Sequence, residues 1–282
     1  TALAIALGTL PTKASLEGTW NPRVHMDARD VAVTTGKTAR LVVASPPKGK
    51  GQVVGFVAKA AGIKLTETLD VTVAIADEQL AQWTVRPAWS LLALPLPEKA
   101  TGTGPLAIDF TIPRWAAEAD PETTGPALAI DEMHLGTLTG TARVDLREPA
   151  GRAALLEGFY GVEGPGCEEP WAWSEGLRST VGVLLDPLSG GYELKVHGAA
   201  LDQLAPLAVD VRINDKKVGK LDLGGLGEHT LDVPDGSLVT GANIVELRYP
   251  RTARPSEVAP GAKDDRDLAI RLYALALLPT AR

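Results

Sequence analysis

Leu69-Asp70-Val71-Thr72-Val73-Ala74-Ile75 places an apolar residue at every second position, with Asp70, Thr72 and Ala74 between them. A period of two with one apolar face is the pattern of a half-buried antiparallel strand. Val209, Val211 and Ile213 alternate with Asp210, Arg212 and Asn214 in the same way. Tyr192, Leu194 and Val196 alternate with Glu193, Lys195 and His197, and Val245, Leu247 and Tyr249 with Glu246 and Arg248. Ser189-Gly190-Gly191, Asn214-Asp215, Gly224-Gly225, Pro234-Asp235-Gly236 and Thr240-Gly241-Ala242-Asn243 punctuate these runs as turns. The last run, Leu268–Leu278, is apolar on both faces, as a central strand covered on both sides would be. One short helix is expected around Trp115–Ala119.

The same stretch opens a second level of order. Asp70-Val71-Thr72-Val73 reappears as Asp210-Val211-Arg212-Ile213, at an offset of 140 residues. Leu16-Glu17-Gly18-Thr19-Trp20 reappears as Leu156-Glu157-Gly158-Phe159-Tyr160 at the same offset. Ile108, Phe110, Pro113 and Arg114 match Val245, Leu247, Pro250 and Arg251 at 137, and Leu128-Ala129-Ile130 matches Leu268-Ala269-Ile270 at 140. Four blocks in one order at a nearly constant spacing indicate an internal repeat. The reading is all-β: a tandem pair of β-sandwich, jelly-roll-like domains, copy one at 16–138 and copy two at 156–282. Residues 1–15 read as an N-terminal arm or first strand, and 139–155, around Arg147-Glu148-Pro149-Ala150-Gly151, as a linker.

Composition narrows the function. The 282 residues carry 28 Lys and Arg against 35 Asp and Glu, for a net charge of -7, so a nucleic-acid partner is not expected. The single cysteine excludes an intrachain disulfide and any Cys-based zinc cluster. It also suits an extracytoplasmic protein of the periplasm or cell surface. The uncharged Thr1–Leu10 is shorter than the roughly 20 residues a helix needs to cross a bilayer, and no membrane insertion of the given residues is expected.

Copy two carries a recognisable order of features. Gly158-Phe159-Tyr160-Gly161-Val162-Glu163 is followed by Trp171-Ala172-Trp173-Ser174-Glu175-Gly176, Val211-Arg212-Ile213-Asn214 and Val218-Gly219-Lys220-Leu221. Pro234, Gly241-Ala242-Asn243-Ile244-Val245-Glu246-Leu247 and Asp264-Asp265-Arg266-Asp267-Leu268-Ala269-Ile270 complete it. This order resembles the carbohydrate-binding-module-like jelly-roll domains appended to bacterial membrane glycosyltransferases and related surface-glycan enzymes. Copy one has Trp20 but no Trp-x-Trp-Ser. The resemblance implies a secreted or envelope-associated, glycan-related role.

Trp171 and Trp173 flank one alanine, so on a strand both point to the same face. That face is either the space between the sheets, which large aromatics commonly fill, or a platform on which a sugar ring stacks. In the second case Tyr160, Trp171, Trp173 and Glu175 are the ligand-binding candidates. Glu163, Glu168 and Glu169 would stand at the rim and suit neutral or cationic sugars better than acidic ones. Copy one's equivalent face is expected to be blank. Asp264, Asp265 and Asp267 are the candidate ligands for a Ca²⁺ ion, which wants six to eight oxygens, although Lys263 and Arg266 stand among them. No other cofactor is expected.

Nothing points to catalysis. His25, His134, His197 and His229 form no metal-spaced pair, and His197 falls on the polar face of its strand, where it is expected to be solvated. There is no GxSxG nucleophile elbow. Gly224-Gly225-Leu226-Gly227 lacks the lysine of a phosphate loop, and Cys167 follows a Gly-Pro-Gly turn without catalytic context. Two functions stay open. One is a non-catalytic module that binds or positions glycan for an exported or membrane-bound glycan-processing system. The other is a structural or assembly module that contacts an envelope protein partner in a cell-surface complex.

Overall fold

A computed structural model describes residues 3–6, 14–27, 29–49, 51–102, 104–113, 127–164 and 167–280. The chain divides into two compact units, Thr1–Leu138 and Thr139–Arg282. Both are built almost wholly of antiparallel strands. No helix among the described residues is long and apolar enough to cross a membrane. The helix expected around Trp115–Ala119 lies outside the described residues.

Unit 1 contains β1 (Leu3–Ala6), β2 (Ala14–Met26), β3 (Arg29–Ala44), β4 (Gln52–Ala61), β5 (Leu69–Ile75), β6 (Glu78–Val85), β7 (Ser90–Pro95), β8 (Pro105–Thr111) and β9 (Ala127–Thr137). Its strand order is β6-β5-β8-β3-β9-β4-β7, with β1 on β9 and β2 on β3. The long β3 serves both layers, because residues 38–44 pair with β8 while Ala32 and Val33 pair with β9. Leu69, Val71, Val73 and Ile75 are fully buried, and Phe56 and Phe110 meet edge to face at 5.5 Å in the core.

Unit 2 contains β10 (Ala142–Asp145), α1 (Pro149–Ala153), β11 (Leu155–Glu157), β12 (Ala172–Trp173), β13 (Arg178–Leu185), β14 (Tyr192–Ala200), β15 (Leu207–Ile213), β16 (Lys216–Leu223), β17 (Gly227–Val233), β18 (Gly241–Arg248), α2 (Pro255–Val258) and β19 (Ile270–Pro279). One sheet runs β10-β19-β14-β17 with β12 on β19, and the other β11-β13-β18-β15-β16. Val211, Ile213, Val245, Leu247, Ile270 and Leu272 are all fully buried between them. Glu246 faces the other way, as its strand pattern predicts. It is nevertheless 8% exposed, because Arg178, Arg212 and Arg248 close over its carboxylate.

The two units share one topology. The hairpin β5–β6 docks on β8 as β15–β16 docks on β18, with Val73 opposite Phe110 and Val211 opposite Leu247. The match of Phe110 to Leu247 therefore holds, but the partner of Val211 is Val73 and not Val71. Leu128 is likewise equivalent to Ile270 and not to Leu268, since they pair with Ala60 and Ala200 at matching places of β4 and β14. A shift of two residues keeps every side chain on its face, so strand periodicity alone cannot detect it. Gly18 and Gly158 hold the same left-handed turn, at φ of 82° and 71°, after β2 and β11 have begun to pair.

The stretch 139–155 is not a linker. Its Ala142–Asp145 forms β10 and pairs with β19, just as Leu3–Ala6 forms β1 and pairs with β9. Val144 and Leu146 enter the core of unit 2, so the hydrogen bonds and apolar contacts of this segment belong to the sandwich. The Arg147–Gly151 turn becomes α1, with Pro149 in its first turn, where a missing amide costs least.

Candidate functional site

The segment after β11 returns along itself. Tyr160 N–H donates to Trp173 O at 2.9 Å, and Glu163 and Trp171 exchange backbone bonds at 2.7 and 3.2 Å. This ribbon feeds β12, which adds to β19 with Ala172 opposite Leu272 and Trp173 opposite Arg271. Ala172 and Leu272 are fully buried and belong to the core. Strand alternation therefore turns Trp171, Trp173 and Arg271 to the outer face of the sheet. Both indoles are half-buried, and Trp173 touches the margin of the core without entering it. Trp171 and Trp173 therefore do not fill the space between the sheets.

Ser174 fixes this arrangement. Its buried Oγ accepts the amides of Ala269 and Ile270 at 2.9 and 3.0 Å, and so locks the start of β19 against β12. Beyond it, β19 carries a bulge opposite His197 and Gly198. The extra residue, Tyr273, is delivered to the same outer face. The Tyr273 ring lies 6.2 Å from Trp171 and 5.3 Å from His197. His197 is thus half-buried against an aromatic ring, and only partly solvated where its place in the alternation suggested a solvated side chain.

Arg271 stands at the centre. Its guanidinium carbon is 5.5 Å from the Trp173 ring, 6.0 Å from Trp171 and 5.4 Å from Tyr273. Cation–π attraction of this kind holds the head group among the rings. The Gly164 turn packs beside the edge of Trp171 and brings Cys167 next to it, with Cys167 itself exposed.

Tyr160 and Glu175 lie in a second, adjoining cluster. Arg266 sits 5.0 Å over the Tyr160 ring and donates to Glu163 at 2.6 Å and to Asp264 at 2.7 Å. Burial raises the Tyr160 phenol above its usual range, and the Glu175 carboxylate raises it further. The four ligand-binding candidates therefore divide into an indole pair around Arg271 and a Tyr160–Glu175 pair, with Arg266 over the Tyr160 ring. The two clusters are joined through the backbone bonds of the ribbon.

The acidic loop is already occupied by protein. Asp264 is held by Arg266, Asp265 accepts the Ser256 hydroxyl, and Asp267 accepts Arg254 at 3.0 Å. The Arg266 bonds also pull the Asp264 carboxyl below its usual range. No group of three or more His, Cys, Asp or Glu side chains placed to hold a metal occurs among the described residues. As arranged, these carboxylates serve arginines and a serine, which explains why basic residues are interleaved with them. A cleft of about 500 Å³ at the Pro187–Gly190 turn is lined by Leu188, Tyr192, Pro234 and Leu238. The Tyr192 hydroxyl there is spent on Leu188 N and Gly140 O.

Arg271 and Tyr273 were not among the residues singled out from the sequence as ligand-binding. A signal was present: Arg271 is the one charged residue in the apolar run Leu268–Leu278. Tyr273 needed the bulge, which no periodicity shows.

No protein-family model and no curated protein matches the chain. Among solved structures, the CBM36-1 domain of a multidomain xylanase from the hindgut metagenome of Trinervitermes trinervoides is similar at 8% identity. It covers 48% of this chain and 97% of that one, with a TM-score of 0.34. The CBM22-1–CBM22-2 tandem domain of Paenibacillus barcinonensis Xyn10C, at 12% identity, covers 99% of this chain and 97% of that one, with a TM-score of 0.32. The plant receptor-like kinase ANX1 covers the same shares at 11% identity and a TM-score of 0.31. At such identities and TM-scores no argument about ligand or activity rests on these likenesses.

Proposed function

We propose that the chain is a non-catalytic tandem β-sandwich module whose second unit binds or positions glycan for an exported or membrane-bound glycan-processing system. One observation carries this reading. β12 turns Trp171 and Trp173 away from the core, partly exposed on the outer sheet face, where the buried Tyr273 ring backs Trp171. Flat aromatic faces with polar groups around them suit the apolar faces of sugar rings. Tyr160 and Glu175 extend the polar rim on the Arg266 side.

The test is a glycan array followed by calorimetry with the best-bound oligosaccharide. Trp173→Ala should abolish binding while circular dichroism and thermal unfolding stay close to wild type. Loss of folding would make Trp173 a structural residue. Capture of no glycan by the wild-type chain would overturn the reading and favour the assembly module.

A further inference from the structure

The outer sheet faces of the two units are built by corresponding strands, and they differ in how charge is balanced: Arg271 stands where unit 1 has Ala129. In unit 1 the cations have carboxylates of their own. Arg29 donates to Asp131 at 2.7 Å while its guanidinium lies 4.7 Å over the Trp89 ring. Lys59, 5.4 Å from the same ring, pairs with Asp27, which also accepts the Trp89 indole N–H at 3.1 Å. Every part of that cluster is answered from within the unit.

In unit 2 the acceptor is missing. The bulge that places Asp131 on the face in unit 1 places Tyr273 there in unit 2. Arg271 has no hydrogen bond and no ion pair among the described residues, and its buried Nε–H has no acceptor. The buried indole N–H of Trp171 has none either. Two adjacent donors, one of them on a cation, are thus withdrawn from water and left unmet. A group in that state is costly unless something supplies an acceptor.

We propose that the Trp171–Trp173–Arg271 face takes a carboxylate-bearing glycan, a uronic acid, with the Arg271 guanidinium receiving the carboxylate. A planar carboxylate matches the guanidinium fork in two parallel bonds, while the sugar ring lies against the indoles. The rim acids do not oppose this. Glu163 is neutralised by Arg266, and Glu168, Glu169 and Glu175 are exposed to screening solvent. The inference rests on the glycan-binding reading and adds the charge of the ligand to it.

The test compares oligogalacturonate with its fully methyl-esterified form, so that only the carboxylate differs, by calorimetry on the full chain. The wild-type chain should bind the free acid at least about tenfold more tightly than the ester, a difference of about 1.4 kcal/mol. Arg271→Gln should bring the two affinities together, and Arg271→Lys, which keeps the charge without the fork, should retain only part of the preference. The wild-type comparison alone decides the matter if a variant fails to fold. Equal affinity for acid and ester overturns the acidic ligand, a preference that survives in Arg271→Gln overturns Arg271 as the receiver of the carboxylate, and either result leaves glycan binding standing. Binding of neither form, with no neutral glycan captured on the array, overturns both.

Discussion

Val31-Ala32-Val33-Thr34 in unit 1 and Trp171-Ala172-Trp173-Ser174 in unit 2 hold the same place in the fold. Both alanines face the core, fully buried. Both hydroxyls are buried and accept amides at the start of the last strand: Leu128 N–H on Thr34, and Ala269 and Ile270 N–H on Ser174. The outward pair differs. Val31 and Val33 are buried, whereas the tryptophans are half-exposed and enclose an arginine. Positions that answer a backbone need take the same kind of residue in both units. Positions facing away from the core are free to become a site.

A second contrast lies in continuity. In unit 1 the segment runs on as β3 and belongs to both layers. In unit 2 it breaks between β12 and β13, where exposed Glu175, Gly176 at φ 69° and exposed Leu177 intervene. The two sheets of unit 2 are separated there, and the tryptophan ribbon gains a short strand of its own.

The largest effects should come from the shared core. Phe110→Ala should destabilise unit 1 by about 3–5 kcal/mol and Leu247→Ala unit 2 by about 2–5 kcal/mol, read from hydrogen exchange of the amides in each unit. A cost below about 1 kcal/mol at Leu247 would break the equivalence of β8 and β18, because a fully buried leucine cannot be truncated so cheaply. Next come the two hydroxyls. Ser174→Ala strands two buried amides and should cost roughly 2–4 kcal/mol, against roughly 1–2 kcal/mol for Thr34→Val, which strands one. Equal costs would mean that the second amide on Ser174 adds nothing to the lock.

The smallest effect depends on pH. Burial lowers the pKa of His134 on β9 to about 4, from 6.5, so the folded unit keeps it neutral while the unfolded chain protonates it. Stability then falls as pH drops below 6.5 and stops falling below about 4, by about 1–2 kcal/mol at pH 5. The equivalent residue of unit 2 is Ala276, which does not titrate. Amide protection of β9 should therefore weaken between pH 7 and pH 5 more than that of β19, and His134→Gln should flatten the difference. An unchanged difference in that variant would assign the pH dependence to carboxylates.

Much of this molecule was legible residue by residue. Alternation gave the inward set Val211, Ile213, Val245 and Leu247 correctly, because a strand with one wet face must repeat every two residues. The repeat was legible because Gly18 and Gly158 both need a left-handed backbone, and the flanking residues travel with them. The candidate site was legible only in part. Trp171 and Trp173 shared a face on any strand, but which side of the sheet that was depended on Ala172 meeting Leu272, a hundred positions away.

By itself, the sequence determined an all-β chain, its duplication, and which side chains of each strand share a face, since these are local consequences of period two and of turn-forming residues. The tertiary structure alone decided the register, which differs by even steps that alternation cannot register, and the status of 139–155, which became a strand by pairing with β19. It alone decided the charge balance of the site. Whether Arg271 finds a carboxylate depends on which distant strands lie beside it and on a one-residue bulge that put tyrosine where unit 1 has aspartate. Pairing of charges is a matter of distance in space, and distance in space between remote segments is what a linear pattern does not contain.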